Sequence, residues 1–154
     1  MREILFRGKR KDNGKWIESL TLLKLGDCLY MFQSAMCEIT YDLQYNITSV
    51  IGKSPFFVEV IPETIGQYTG LVDKNGTKIF EGDIVKIWDN GEARGVVRWC
   101  DEDATFEFYI DGLAWNFGGL RDFCLDKTVE VVGNVHDNPE LLVGEEIRDK
   151  FKED

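Results

Sequence analysis

The sequence predicts a mainly β protein: a barrel or pseudobarrel of short antiparallel strands with SH3-like hairpins, one short helical turn and one C-terminal helix. Three observations carry that expectation. Asn-Gly pairs, which readily take positive φ, stand at Asn13-Gly14, Asn75-Gly76 and Asn90-Gly91 between apolar runs. Those runs are short and rich in Val, Ile, Phe, Tyr and Trp, with polar separators too brief for crossover helices. Only at the end do apolar residues recur at four-residue spacing, as Val143, Ile147 and Phe151.

Taken in order, Glu3–Arg7 and Lys15–Leu20 flank the turn Lys11-Asp12-Asn13-Gly14 and form a hairpin. Strands are expected at Cys28–Phe32, Met36–Tyr41, Tyr45–Ile51 and Phe56–Val60. The stretch Ile61–Gly70 lacks clean alternation and is bounded by Pro62 and Gly70, so it reads as an ordered loop with room for one helical turn. Beyond the turn Asp73-Lys74-Asn75-Gly76 come Lys78–Phe80, the corner Glu81-Gly82-Asp83, and a succession of hairpins: Ile84–Trp88, Gly95–Cys100 and Thr105–Ile110. Leu113–Phe117 and Thr128–Val135 supply the last strands. A barrel built this way fills its interior with alternate side chains and leaves no open edge. Asn138 as cap, Pro139 at the first helical position and Glu140 beside the positive helix end open the terminal helix.

At 154 residues, 44% hydrophobic and 30% charged, the chain is long and apolar enough to bury one core, which excludes a disordered chain. No apolar run approaches the ~18 residues of a membrane span, and the charged N-terminus is no secretory signal, so a cytoplasmic protein without membrane contact is expected. The net charge is −10, which makes nucleic acid an unfavourable partner because phosphate-backbone binding needs clustered Lys and Arg. Residues 1–15 carry six basic and two acidic side chains, whereas residues 81–111 carry three basic and nine acidic. A basic arm of this kind either binds nucleic acid or, the preferred reading, pairs with the protein's own acidic surface or with that of another copy.

Cys28, Cys37, Cys100 and Cys124 form no C-x-x-C pair, and His136 is the only histidine. Closed zinc sites have no local ligand pair here, and the thiols read as small core residues. Any nucleophile–base pair with a histidine must use His136, whose run Gly-Asn-Val-His-Asp-Asn-Pro looks like a strand end leading into a cap. No cofactor or metal is expected.

Ile61-Pro62-Glu63-Thr64-Ile65-Gly66-Gln67-Tyr68-Thr69-Gly70-Leu71-Val72-Asp73-Lys74-Asn75-Gly76, continuing through Ile79–Val85, resembles the hallmark of the YopX family, small proteins encoded by phages and prophages of Gram-positive bacteria. Arg2–Gly8 is similar to the family's opening strand and Glu130–Leu142 to its closing one. The resemblance implies a compact, mainly β, barrel-like domain over residues 1–142 and a phage origin; the helical, charged extension expected over 143–154 is this chain's own. It implies no particular activity.

The candidate site residues are Thr64, Gln67, Tyr68, Thr69, Glu81 and Asp83. Thr64, Gln67, Tyr68 and Thr69 are dense in hydrogen-bonding groups for a loop. They either cradle a ligand or partner, with Tyr68 as aromatic anchor, or pin an irregular backbone by satisfying its buried N–H and C=O groups. Glu81 and Asp83 either hold a cation or receive the N–H groups of a turn that Gly82 permits, and the turn is the preferred reading. Asp101-Glu102-Asp103 with Glu107 is the densest acidic cluster, readable as a two-metal nuclease site or, preferably, as a solvated turn. Trp16, Trp88, Trp99 and Trp115 all fall in expected strands, where core packing is the default.

Three functions follow. The first is a non-catalytic module that binds a protein partner or itself, since phosphate loop, zinc spacing and nucleophile–base pair are all missing. The second is an acidic nucleic-acid mimic, which requires the carboxylates of Glu81–Asp111 on one surface. The third is a metal-dependent nuclease or hydrolase.

Overall fold

The computed structural model describes residues 3–32, 37–41, 47–52, 57–88, 92–110, 113–115, 124 and 128–142. Contacts gather the chain into two units, one of Leu5–Ile65 and one of Gly66–Asp154 with Met1–Ile4.

In the first unit, β1 (Phe6–Lys9) and β2 (Trp16–Ser19) pair antiparallel, Arg7 opposite Glu18 and Lys9 opposite Trp16. The expected turn closes them. Gly14 sits at φ +68°, the Asn13 side-chain oxygen accepts from the Lys15 N–H at 3.0 Å, and the Arg10 N–H donates to the Lys15 carbonyl at 2.9 Å. β3 (Leu22–Leu25) follows, then β4 (Cys28–Phe32), joined to it by a turn with Gly26 at φ +60°. β3 is absent from the sequence expectation because Leu-Leu-Lys-Leu has neither β-branched residues nor alternation; its ladder with β4 makes it a strand. β5 (Cys37–Tyr41) and β6 (Ile47–Gly52) form their own hairpin. β7 (Phe57–Val60) then returns to β4, giving a sheet in the order β3-β4-β7. Met31, Val58 and Val60 are buried on its inner face. The expected helical turn is present as a 3-10 turn over Pro62–Thr64.

In the second unit, β8 (Gly66–Val72) and β9 (Lys78–Phe80) form a hairpin. β10 (Asp83–Trp88), β11 (Glu92–Cys100), β12 (Thr105–Ile110) and β13 (Leu113–Trp115) run as an antiparallel meander, and β14 (Val129–Asn134) adds beside β10. Two apolar clusters explain the runs Ile84-Val85 and Val96-Val97. Val85, Ile87, Val97, Phe106, Phe108, Val129 and Ile79 form one; Ile84, Val96, Val135 and Leu142 form the other. Neighbouring residues of one strand thus enter different clusters, as strand geometry requires when both faces are covered.

Several expectations need correction. β13 and β14 are the two edges of the five-stranded sheet, and no closed barrel forms among the described residues. Coverage of both faces, instead of closure, takes the apolar side chains out of water. The expected C-terminal helix is not borne out either. Among the described residues the segment makes a 3-10 turn over Pro139–Leu141, and Leu142 is extended at φ −81°, ψ 124°. Leu141 and Leu142 are drawn onto Ile84 and Val96, and this tertiary burial overrides the capping signal. Val143, Ile147 and Phe151 lie outside the described residues. Finally, Gln67, Tyr68 and Thr69 stand on strand β8, not in a loop.

Candidate functional site

In the first unit, Thr64 is 7% exposed. Its hydroxyl donates to the Ile61 carbonyl at 2.7 Å and accepts from the Lys9 N–H at 2.8 Å, tying the 3-10 turn to β1. A buried hydroxyl engaged in both directions costs nothing in lost hydration, whereas a buried unpaired one costs about 1–3 kcal/mol.

The other five candidates belong to the second unit. Thr69 donates its hydroxyl to the Ile79 carbonyl at 2.9 Å and accepts from the Leu71 N–H at 3.2 Å. Tyr68 is buried, its ring tilted against Phe80 at 5.5 Å, with the Lys78 ammonium 5.4 Å from its centroid. Gln67 contributes its carbonyl, which accepts from the Glu81 N–H at 2.9 Å. Asp83 is 1% exposed and accepts from the Phe80 N–H at 2.8 Å. Between Glu81 and Asp83, Gly82 holds φ +81°, where an L side chain is strained. Its N–H donates to the Val97 carbonyl at 2.8 Å and its carbonyl accepts from Val135 at 2.9 Å. This corner therefore links residues that belong to β11 and to the segment after β14. Gly66 lets the chain pass close by, since a Cβ there would lie 2.3 Å from the Glu81 carbonyl oxygen.

Asp73 is a residue whose importance the sequence reading missed. Its carboxylate accepts three backbone N–H groups: Asn75 at 2.8 Å, Thr77 at 2.9 Å and Val131 at 3.1 Å. Burial raises its carboxyl, but the N–H groups of Val131, Thr77 and Asn75 outweigh that and hold it below the usual range. Asp in a turn signals the first two bonds; nothing local signals the third.

The acidic cluster is split. Asp101, Glu102 and Asp103 are exposed in the turn after β11, whereas Glu107 is 3% exposed and accepts from the Arg98 guanidinium at 2.5 Å. Arg98 also lies 3.9 Å over the Tyr109 ring. Among the described residues no group of three His, Cys, Asp or Glu side chains is placed to hold a metal ion. Of the nine carboxylates between Glu81 and Asp111, Asp83 and Glu107 are buried, so they contribute nothing to an array on one surface.

Trp99 departs from the core expectation: it is 41% exposed, edge-on to Phe106 at 5.1 Å, with its indole N–H on Asp101 at 2.9 Å. Trp16 is half-buried beneath two cations, Arg7 at 4.9 Å and Lys9 at 5.4 Å. The side chains of Trp88 and Trp115 lie outside the described residues. His136 follows β14 in a turn where Asn134 accepts from the N–H groups of His136 and Asp137 at 3.0 and 2.9 Å.

On the first unit's outer surface, Arg10, Lys11, Asp12, Phe57, Val58 and Glu59 line a depression of about 240 Å³. Phe57 is 38% exposed and tilts against Phe32 at 5.3 Å. Lys11 meets Glu59 at 2.6 Å, and the Lys11 ammonium, with the Cys28 thiol, holds the Glu59 carboxyl below its usual range. An exposed pair of this kind is screened by water and fixes side-chain position more than it adds stability.

This is an antiparallel β protein whose buried polar groups tie main chain to main chain, with aromatic and charged side chains on its outer faces. The YopX protein family model matches residues 5–143, and the chain belongs to the YopX family. Among solved structures, protein EF1440 from Enterococcus faecalis is similar at a TM-score of 0.53 and 23% identity, over 90% of this chain and 97% of that one. At that identity the likeness is one of fold. No curated protein matches the chain. No helix among the described residues is long and apolar enough to cross a membrane.

Proposed function

We propose that this YopX-family chain is a non-catalytic, phage-encoded protein-interaction module that works in the cytoplasm. The observation that carries the reading is Phe57, 38% exposed beside a depression framed by Arg10, Lys11, Asp12 and Glu59. A large aromatic side chain bordered by charged, mutually paired groups is the composition of a binding hot spot with a polar rim. The engagement of Thr64, Thr69 and Asp73 with backbone groups supports the same reading, because it leaves these polar side chains little capacity for chemistry.

The test compares wild type with Phe57→Asp as bait in quantitative affinity capture from host cells, both checked for equal thermal midpoints. Stoichiometric recovery of a protein on wild type, lost with Phe57→Asp, is the expected result. Equal recovery on both baits, or substrate turnover by the purified chain, would overturn the reading.

A further inference from the structure

The pairing between β7 and the residues that follow β1 stops part-way along β7. Arg10 and Val60 form an antiparallel bridge, in which the Lys11 N–H donates to the Glu59 carbonyl at 3.0 Å and the Ile61 N–H to the Lys9 carbonyl at 2.9 Å. Beyond Lys11 the chain leaves β7, because it turns through Asp12 and Asn13 and the Gly14 N–H donates back to the Arg10 carbonyl at 2.9 Å.

The alternation of an antiparallel strand decides what that departure leaves behind. The N–H and C=O of one residue point to the same side, and successive residues point to opposite sides. Glu59 and Ile61 bond away from β4, so Val58 and Val60 supply the bonds to β4, opposite Met31 and Leu29. Phe57 points the way Glu59 does, and among the described residues no hydrogen bond takes up its N–H or C=O. An exposed strand edge of this kind is a template for one more strand. β3, at the other end of the sheet, carries exposed Lys24, a residue type that blunts an edge.

The depression lies where the two segments part, with Arg10, Lys11 and Asp12 from one and Phe57, Val58 and Glu59 from the other. At about 240 Å³ it is smaller than the ~300–1,000 Å³ of a small-molecule site, and its size is that of a side chain. Lys11 is paired with Glu59 and Arg10 with Asp12. A charged side chain entering there has to break a pair, whereas an apolar one meets the Phe57 ring. A second whole copy is a poor occupant. A stable pair of globular partners buries about 800 Å² a side, far more than one ring and this depression offer. The chain's net charge of −10 also opposes it.

We infer that β7 takes up an extended segment of a partner protein as an added antiparallel strand, continuing the pairing that Lys11 ends at Glu59. The Phe57 N–H and C=O bond to the main chain of that segment, and an aromatic or β-branched residue directly across packs on the Phe57 ring. The segment is apolar at that position and carries no net negative charge, since the −10 chain repels an acidic one. This deepens the interaction-module reading, by naming the form of partner that the Phe57 site takes, and rests on it.

The experiment selects displayed short random peptides on the full chain, with Phe57→Asp of equal thermal midpoint as the counter-selection. Synthetic copies of the enriched peptides are expected to bind wild type and to lose about tenfold or more in affinity with Phe57→Asp. The same loss is expected when alternate amides along one edge of the peptide are N-methylated, while methylation along the other edge is tolerated. Hydrogen exchange in wild type with bound peptide is expected to slow at the Phe57 amide and to stay unchanged at Val58 and Val60, whose amides already bond to β4. The absence of any Phe57-dependent peptide, binding indifferent to N-methylation on either edge, or unchanged exchange at Phe57 overturns the inference. So does self-association of wild type, read by sedimentation equilibrium, that Phe57→Asp abolishes, because the occupant is then a second copy. If the inference fails in one of these ways while a host protein is still captured on wild type and lost with Phe57→Asp, the interaction module stands and the added strand falls.

Discussion

The Asp73 carboxylate accepts the backbone N–H of Val131 at 3.1 Å, across 58 positions of sequence. Through it the turn between β8 and β9 is fastened to β14, and the Lys74 N–H donates to the Val129 carbonyl at 2.9 Å beside it. Replacing Asp73 with Ala takes the acceptor from three N–H groups, those of exposed Asn75 and Thr77 and of half-buried Val131. A loss of about 1–3 kcal/mol in unfolding free energy is expected. Hydrogen exchange at Val131 is the local readout, and unchanged protection there would contradict the role given to Asp73.

The same carboxylate sets a pH dependence. Its folded-state pKa is lowered relative to an unfolded value of about 3.9. Its contribution is therefore complete above the unfolded value and declines as pH falls through the lower, folded one. Wild type should lose stability over that acidic interval more steeply than Asp73→Asn. Parallel denaturation curves for the two proteins down to that range would refute the assignment.

Gly66→Ala places a methyl carbon 2.3 Å from the Glu81 carbonyl oxygen. That oxygen belongs to main chain held by the Glu81 N–H bond to Gln67, so neither side yields easily. Destabilisation of about 1–3 kcal/mol is expected, read as a lower denaturation midpoint. An unaltered midpoint would mean that the close approach is not built into the folded chain.

Legibility followed the range of each physical cause. The turns at Asn13-Gly14 and Asn75-Gly76 could be read because positive φ is a property of one residue. Strands such as Cys28–Phe32 and Thr105–Ile110 matched because their side chains alone favour extension. Leu22–Leu25 could not be read, since its strand depends on the partner β4. The helix start at Asn138-Pro139-Glu140 was visible, but its arrest at Leu142 depends on Ile84 and Val96, far away in sequence. Within the candidate site, Thr64 and Asp83 could be singled out by type, whereas the atoms they bind, on Lys9 and Phe80, required the fold. Asp73 was legible only as a turn former, because Val131 lies too far along the chain to signal its bond.

Thiol chemistry discriminates the cysteines. Burial pushes the Cys124 thiol up to about 11, with Asp73 adding to the shift. All three described cysteines, Cys28, Cys100 and Cys124, are half-buried, and with its raised thiol Cys124 should react more slowly with an alkylating agent near pH 8 than the other two. In denaturant the difference should vanish. Mass mapping of the alkylated peptides reads this directly, and early labelling of Cys124 in the native state would count against its burial.

On the proposed reading, inward polar groups hold main chain and outward groups meet a partner. The most direct measurement is a paired series, Thr64→Val, Thr69→Val and Asp73→Asn against Phe57→Asp, scored for both unfolding free energy and partner binding per folded molecule. The account predicts that the first group loses stability with binding intact and the second loses binding with stability intact. A Thr64 or Thr69 variant of wild-type stability that no longer binds would contradict it.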